Sequence, residues 1–215
     1  MNRVYEIYQK LYKFYGSQHW WPAENWFEVV VGAILTQNTS WKNVEKSIEN
    51  LKDKDLLEPF KLYRISEEKL AELIKSSGFY NLKSKRLKNF LKWLKGYDFD
   101  VNKIKQKDLL NLREELLSIK GIGKETADSI LLYAFEKPVF VVDAYTKRMF
   151  TRLGFRLSKD YDEIKDFFEK NLPKDAQLFN EFHALIVNHS KEYCKKVPNC
   201  KKCFLKEKCE WGVTQ

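Results

Sequence analysis

Four cysteines are confined to one short stretch near the end of the chain, at Cys194, Cys200, Cys203 and Cys209, separated by five, two and five residues. Thiolates that close together cannot staple a whole fold, but they can wrap one metal centre, and both zinc and a [4Fe-4S] cluster accept four sulfur ligands. Structural zinc usually shows two short Cys-x-x-Cys pairs across a longer loop; here one close pair is flanked by two medium loops, and spacing alone leaves both metals open. A second chemical signature is Leu116 to Ala127, which reads L-L-S-I-K-G-I-G-K-E-T-A. Gly121 and Gly123 are predicted to let the backbone take positive φ and approach a partner closely, while the helix that follows starts with unpaired N–H groups. Such a turn suits a phosphate, with Lys120 and Lys124 adding charge and Ile122 pegging the turn from inside. A bare Gly-x-Gly is equally an ordinary helix corner. Asp143 is the third candidate: it ends the apolar run Val139 to Val142 and precedes A-Y-T-K-R, the position of a helix N-cap.

The elements that must hold these residues read as helices. Phe27, Val30, Val31, Ile34 and Leu35 form one stripe, and Leu70, Leu73, Ile74 followed by Leu87, Phe90, Leu91, Leu94 form others. Gly78 breaks the second pattern, and Gly121 with Gly123 breaks a third between Leu117 and Ile130, so each place reads as two helices joined by a tight turn. Pro138 to Val142 is the one strand-like run; without a pairing partner it is expected to be an extended connector between lobes.

Lys and Arg total 39 against 30 Asp and Glu, giving a formal net charge of +9, which makes a polyanion the first partner to consider. Basic balance alone does not establish one. The longest apolar run, Val29 to Leu35, is far short of the roughly 20 residues of a membrane span. The N-terminus carries Val4, Ile7, Leu11 and Phe14 at helical spacing, an amphipathic helix rather than a signal peptide. A cytoplasmic monomer that makes no use of membrane is expected.

Taken in order, W-W-P at Trp20 to Pro22, L-T-Q-N-T at Leu35 to Thr39, S-G-F-Y-N at Ser77 to Asn81, the Lys120 to Glu125 hairpin, V-V-D at Val141 to Asp143 and the clustered cysteines make a pattern. It resembles the endonuclease III superfamily of helix-hairpin-helix DNA glycosylases, and within it the 3-methyladenine DNA glycosylase III branch. The resemblance implies an all-α fold of two lobes flanking a DNA-binding cleft. One lobe, residues 18–137, would hold the hairpin at 116–127; the other, residues 1–17 with 138–215, would hold the acid and the cysteine loop at 194–209. It further implies that Asp143 is the catalytic carboxylate and Gln37 the side chain that enters the duplex where a nucleotide has left. Trp20, Trp21, Pro22 and Trp41 would line the base pocket. Lys195, Lys196, Lys201 and Lys202 would meet phosphates, and the four cysteines would hold a [4Fe-4S] cluster, with zinc as the alternative. Family members that also cut the strand carry a lysine where this chain has Glu125, which cannot form a Schiff base. The expected activity is thus a monofunctional base-excision glycosylase acting on double-stranded DNA with an alkylated purine such as 3-methyladenine. The alternatives are an endonuclease III-like pyrimidine glycosylase/lyase and a DNA-structure-binding protein without catalysis.

Overall fold

The computed structural model describes residues 2–214. In chain order the helices are α1 (Arg3–Tyr15), α2 (Trp26–Leu35), α3 (Trp41–Asp53), α4 (Pro59–Arg64), α5 (Glu67–Leu73), α6 (Tyr80–Lys95), α7 (Val101–Lys105), α8 (Leu109–Ser118), α9 (Lys124–Ser129), α10 (Ala144–Arg152), α11 (Tyr161–Lys170), α12 (Ala176–Glu192) and α13 (Glu210–Val213). Among the described residues there is no strand, and no helix is long and apolar enough to cross a membrane. The chain divides into two compact units: one runs from Trp21 to Lys137, and the other joins the stretch through Trp20 to everything from Pro138 onward.

In the Trp21–Lys137 unit, α2 is the central helix. Every residue from Phe27 to Leu35 is buried, because α3, α6, α9 and the segment after α9 pack around it, and a helix enclosed on all sides has no polar face to keep. Asn25 starts it by accepting hydrogen bonds from the N–H groups of Phe27 and Glu28, both at 3.0 Å. Beyond α9 the chain widens into a π-helical stretch, Ile130–Ala134. There the Phe135 N–H reaches back five residues to the Ile130 carbonyl, the kind of local bulge that often serves to place a side chain.

The other unit is built on phenylalanines. Phe140 stacks on Phe168, ring centroids 4.4 Å apart and 8° from parallel, and meets Phe179 and Phe182 edge-on. Phe150 packs edge-on against Phe168 as well. These rings fix the extended connector: Val139 to Val142 are all buried, and with no neighbouring strand the Phe140 N–H donates to a Glu169 carboxylate oxygen at 2.9 Å. A buried backbone donor has to find such a partner. The connector delivers the chain to Asp143 at the head of α10.

Candidate functional site

Asp143 does cap α10, but with only half of its carboxylate. Oδ1 accepts from the Thr146 N–H at 2.7 Å and from the Thr146 hydroxyl at 2.9 Å. Oδ2 stands 3.4 Å from Nε2 of His183, on α12; the two side chains keep 13% and 8% of their surface exposed. Burial pushes this carboxyl up, yet His183 and the two Thr146 contacts outweigh it and hold the group below the usual carboxylate range. From sequence, His183 and His189 are alike: both lie just upstream of the cysteines and could support them, although a core or surface histidine is the commoner outcome. The structure separates them along α12: His189 faces Cys203, with 3.5 Å between Nε2 and Sγ, while His183 faces the acid. Nothing in a single sequence distinguishes which helix face meets α10.

The hairpin between α8 and α9 needs one of its glycines for conformation and the other for openness. Gly121 has φ +100°, and a Cβ there would lie 2.3 Å from Cγ of Arg86; only glycine suits both conditions. Gly123, expected to share that conformation, instead has φ −91°, and an added Cβ would meet nothing within 4 Å. It is the N-cap of α9 and supplies no side chain to bond the first N–H groups. Ile122 is buried; Lys120, Gly123 and Glu125 are exposed, and Lys124 is partly so. Asn89 on α6 ties the turn down by donating to the Lys120 carbonyl at 2.9 Å.

Gln37 lies just beyond α2 and reaches this same hairpin. Its amide donates to the Thr126 hydroxyl at 2.9 Å and to the Gly121 carbonyl at 3.3 Å, and its oxygen accepts from Arg86. Beneath the loop, Lys83 is buried with 1% exposure. Its ammonium donates to the carbonyls of Leu35 at 2.7 Å and Ser77 at 2.6 Å, pinning the end of α2 to the turn before α6. Burial, with Arg86 nearby, pushes Lys83 down to about 8. Sequence reasoning passes over Arg86 and Lys83, because a long basic side chain carries no mark of the oxygens it will meet. Phe79 is another surprise: it is 68% exposed and held at φ +46°, an apolar side chain displayed from strained backbone.

Of the four predicted pocket residues, two meet. Trp21 and Trp41 pack edge-to-face at 5.3 Å, and Trp21 tilts against Tyr133 of the π-helical stretch at 5.2 Å. A Cβ on Gly32 would touch both tryptophans at 3.4 Å, so the rings lie directly on α2. Trp20 is partly buried in the other unit and Pro22 is exposed.

Cys194, Cys200, Cys203 and Cys209 are all free thiols and line one cavity, of about 380 Å³ with part of it open, together with apolar walls from Met149, Leu153, Leu205 and Trp211. Among the described residues no three His, Cys, Asp or Glu side chains are grouped to hold a single metal ion. Polar groups surround the sulfurs: Arg152 lies 3.4 Å from the Cys194 sulfur and the Gly212 N–H 3.3 Å from that of Cys209, while the Tyr15 hydroxyl meets Nδ1 of His189 at 3.1 Å. Burial, with the neighbouring cysteines, pushes the Cys203 thiol up to about 11. Lys195, Lys196, Lys201 and Lys202 are exposed around this loop, and Arg152 secures it through the carbonyls of Lys195 and Lys196.

An all-helical fold with a glycine hairpin, and an acid on a buried connector, are the features of one class of DNA-repair proteins, and residues 31–174 match the family model for HhH-GPD superfamily base excision DNA repair proteins. The chain belongs to that superfamily. It is 60% identical over 209 residues to a Methanocaldococcus jannaschii protein provisionally named a DNA repair glycosylase, covering 96% of this chain and 95% of that one. Endonuclease III of Thermotoga maritima is 32% identical over 86% of this chain and 83% of its own. The crystal structure of H. pylori 3-methyladenine DNA glycosylase bound to 1,N6-ethenoadenine matches with a TM-score of 0.79 at 38% identity, over 88% of this chain and 97% of that one. The likeness to the 3-methyladenine glycosylase branch read from the motifs therefore stands.

Proposed function

We propose that this protein is a monofunctional DNA N-glycosylase that takes an alkylated purine out of the duplex and hydrolyses its bond to the sugar, leaving an abasic site. The observation that carries this reading is the Asp143 carboxylate, largely buried yet held in its charged form by Thr146 and His183. As the base departs, positive charge develops on the sugar; a desolvated, ionised carboxylate stabilises that charge far better than it would in water, and can orient or deprotonate the attacking water. Both roles require the ion. Glu125 at the first turn of α9 supplies no amine, so the reaction goes to water and the strand stays intact.

The remaining residues take binding roles in this reading. Gly121, Ile122 and Gly123 shape a turn whose following helix start has no side-chain cap, and with Lys120 and Lys124 it grips phosphates. Lys195, Lys196, Lys201 and Lys202 extend that grip on the cysteine loop. Gln37 fills the gap left by the flipped nucleotide, exchanging its bonds to Gly121 and Thr126 for bonds to the orphaned base. Trp21 and Trp41 receive the damaged base, since aromatic faces favour a base that alkylation has made cationic. The four cysteines line one cavity, which supports a [4Fe-4S] cluster as the group it takes; Cys194, Cys200, Cys203 and Cys209 would hold it, and it would supply a structural knot for the loop.

Single-turnover assays on duplexes containing 3-methyladenine, thymine glycol, uracil or a mismatch test the proposal. Release of 3-methyladenine first, with strands broken only after alkali, is the expected outcome. The likeness to the Thermotoga endonuclease III favours a second reading, a pyrimidine glycosylase/lyase; a borohydride-trapped covalent adduct with a thymine-glycol duplex would establish it in place of the first.

A further inference from the structure

The two oxygens of Asp143 are held by different elements. Oδ1 is saturated locally, by the backbone and hydroxyl of Thr146 one turn into α10. The backbone bond would exist at any aspartate N-cap, and the hydroxyl bond needs a residue such as Thr146; together they fix one oxygen but leave the carboxylate free to swing about it. Oδ2 is held from outside: His183 comes from α12, forty residues away in sequence, and is only 6% exposed, closed in by the packing of α12 on α10 and α1. A polar ring buried there costs free energy unless it has a partner, and the near oxygen of Asp143 is 3.4 Å away.

We propose that His183 is a positioning residue for Asp143: its Nε2 fixes Oδ2 while Thr146 fixes Oδ1, so the acid is locked in one orientation as a carboxylate. This inference rests on the reading of Asp143 as the group that acts on the sugar, and adds to it a second residue that touches neither sugar nor base. Several other charged groups on the three helices are engaged elsewhere. On α1, Glu6 meets Lys208 and Arg3 meets the Leu153 carbonyl. On α10, Arg148 and Arg152 donate to carbonyls of the cysteine segment. On α12, Glu181 accepts from Ser17 and the Gln18 N–H, and His189 faces Tyr15 and Cys203. Among the charges that act on Asp143, His183 is the foremost.

The test compares His183→Phe, which keeps the ring volume and removes the donor, with His183→Gln, whose amide can place an N–H where Nε2 was. The first readout does not depend on substrate: the Asp143 carboxyl is titrated by carbon-13 NMR in aspartate-labelled protein, its signal assigned by its loss in Asp143→Asn. Wild-type protein should titrate below the ordinary aspartate range; His183→Phe should titrate about one pH unit higher, a tenfold change in ionisation, and His183→Gln between the two. The second readout is base release from a methylated duplex in single turnover. His183→Phe should be about tenfold slower, its affinity for the duplex unchanged, with the acid limb of its rate profile displaced upward, and His183→Gln should recover part of the rate. A purely structural histidine would lower melting temperature and leave the Asp143 titration where it was. An unchanged Asp143 midpoint in His183→Phe overturns the proposal. If instead Asp143→Asn releases base normally, the catalytic assignment of Asp143 fails while the titration still decides whether His183 holds it.

Discussion

At Asp143 one side chain serves both stability and chemistry, and substitution can separate the two. Asp143→Asn keeps an oxygen for the Thr146 N–H but loses the charge; base release should fall by about a hundredfold or more with binding to lesion-containing DNA largely retained, as measured by single-turnover kinetics beside a binding isotherm. The same variant has a signature in stability. Because the folded state holds this carboxyl below its usual range, its contribution is present above the unfolded pKa and is lost as pH falls through the lower folded value; melting temperatures of Asp143→Asn and wild type should therefore converge toward acid pH. Lys83 gives a slope of the same sign in a higher pH window. Its pKa is lowered from 10.5 to about 8, so the unfolded chain binds more protons between those values, and this group makes stability rise with pH across that window. Lys83→Met leaves the Leu35 and Ser77 carbonyls without their donor and should cost about 2 kcal/mol at neutral pH, measured by denaturant unfolding.

At the scale of elements, the hairpin and the cysteine loop are each specified by a few positions. Gly121→Ala places a methyl group 2.3 Å from Arg86 on a backbone at φ +100°, so the turn has to shift and draw Arg86 and Gln37 with it. The expected result is weaker binding to undamaged and damaged duplex alike, in fluorescence anisotropy, whereas Gly123→Ala, at φ −91° with open space around it, keeps the fold and loses only the close approach. For the cysteine loop, the cluster assignment predicts brown protein containing iron and acid-labile sulfide after anaerobic purification. Serine at any one of positions 194, 200, 203 or 209 should bleach it. Stoichiometric zinc in its place would show that the sulfurs converge on one ion.

For the molecule as a whole, the excess of 39 basic over 30 acidic side chains matters through where it is displayed. Lys195, Lys196, Lys201 and Lys202 are exposed on a loop that Arg152 anchors by its backbone, a fixed rather than a trailing patch of charge. Affinity for undamaged duplex should fall steeply with salt, and replacing the four lysines with alanine should reduce the slope of log K against log salt by up to about 0.9 for each phosphate that is no longer neutralised. Lesion preference should stay as it was, since a lysine on a phosphate carries no information about the base.

Helical periodicity alone determined an all-α chain, because the stripe at Phe27 to Leu35 and those after Leu70 can bury their apolar residues in no other conformation. The order of short motifs determined the superfamily, because a glycine turn, an acid after an apolar connector and four close cysteines are local in the sequence and keep their spacing in any fold that uses them. Tertiary structure decided what those residues face. That Trp21 and Trp41 meet over Gly32, with Trp21 against Tyr133, that Gln37 is tied to the hairpin at Gly121 and Thr126, and that Lys83 is buried between the end of α2 and the turn before α6 are long-range facts, as is the division of labour between His183 and His189. Each depends on which faces of separate helices come together, and a helix carries its own periodicity in its sequence but not the identity of the side chain that will lie across from it.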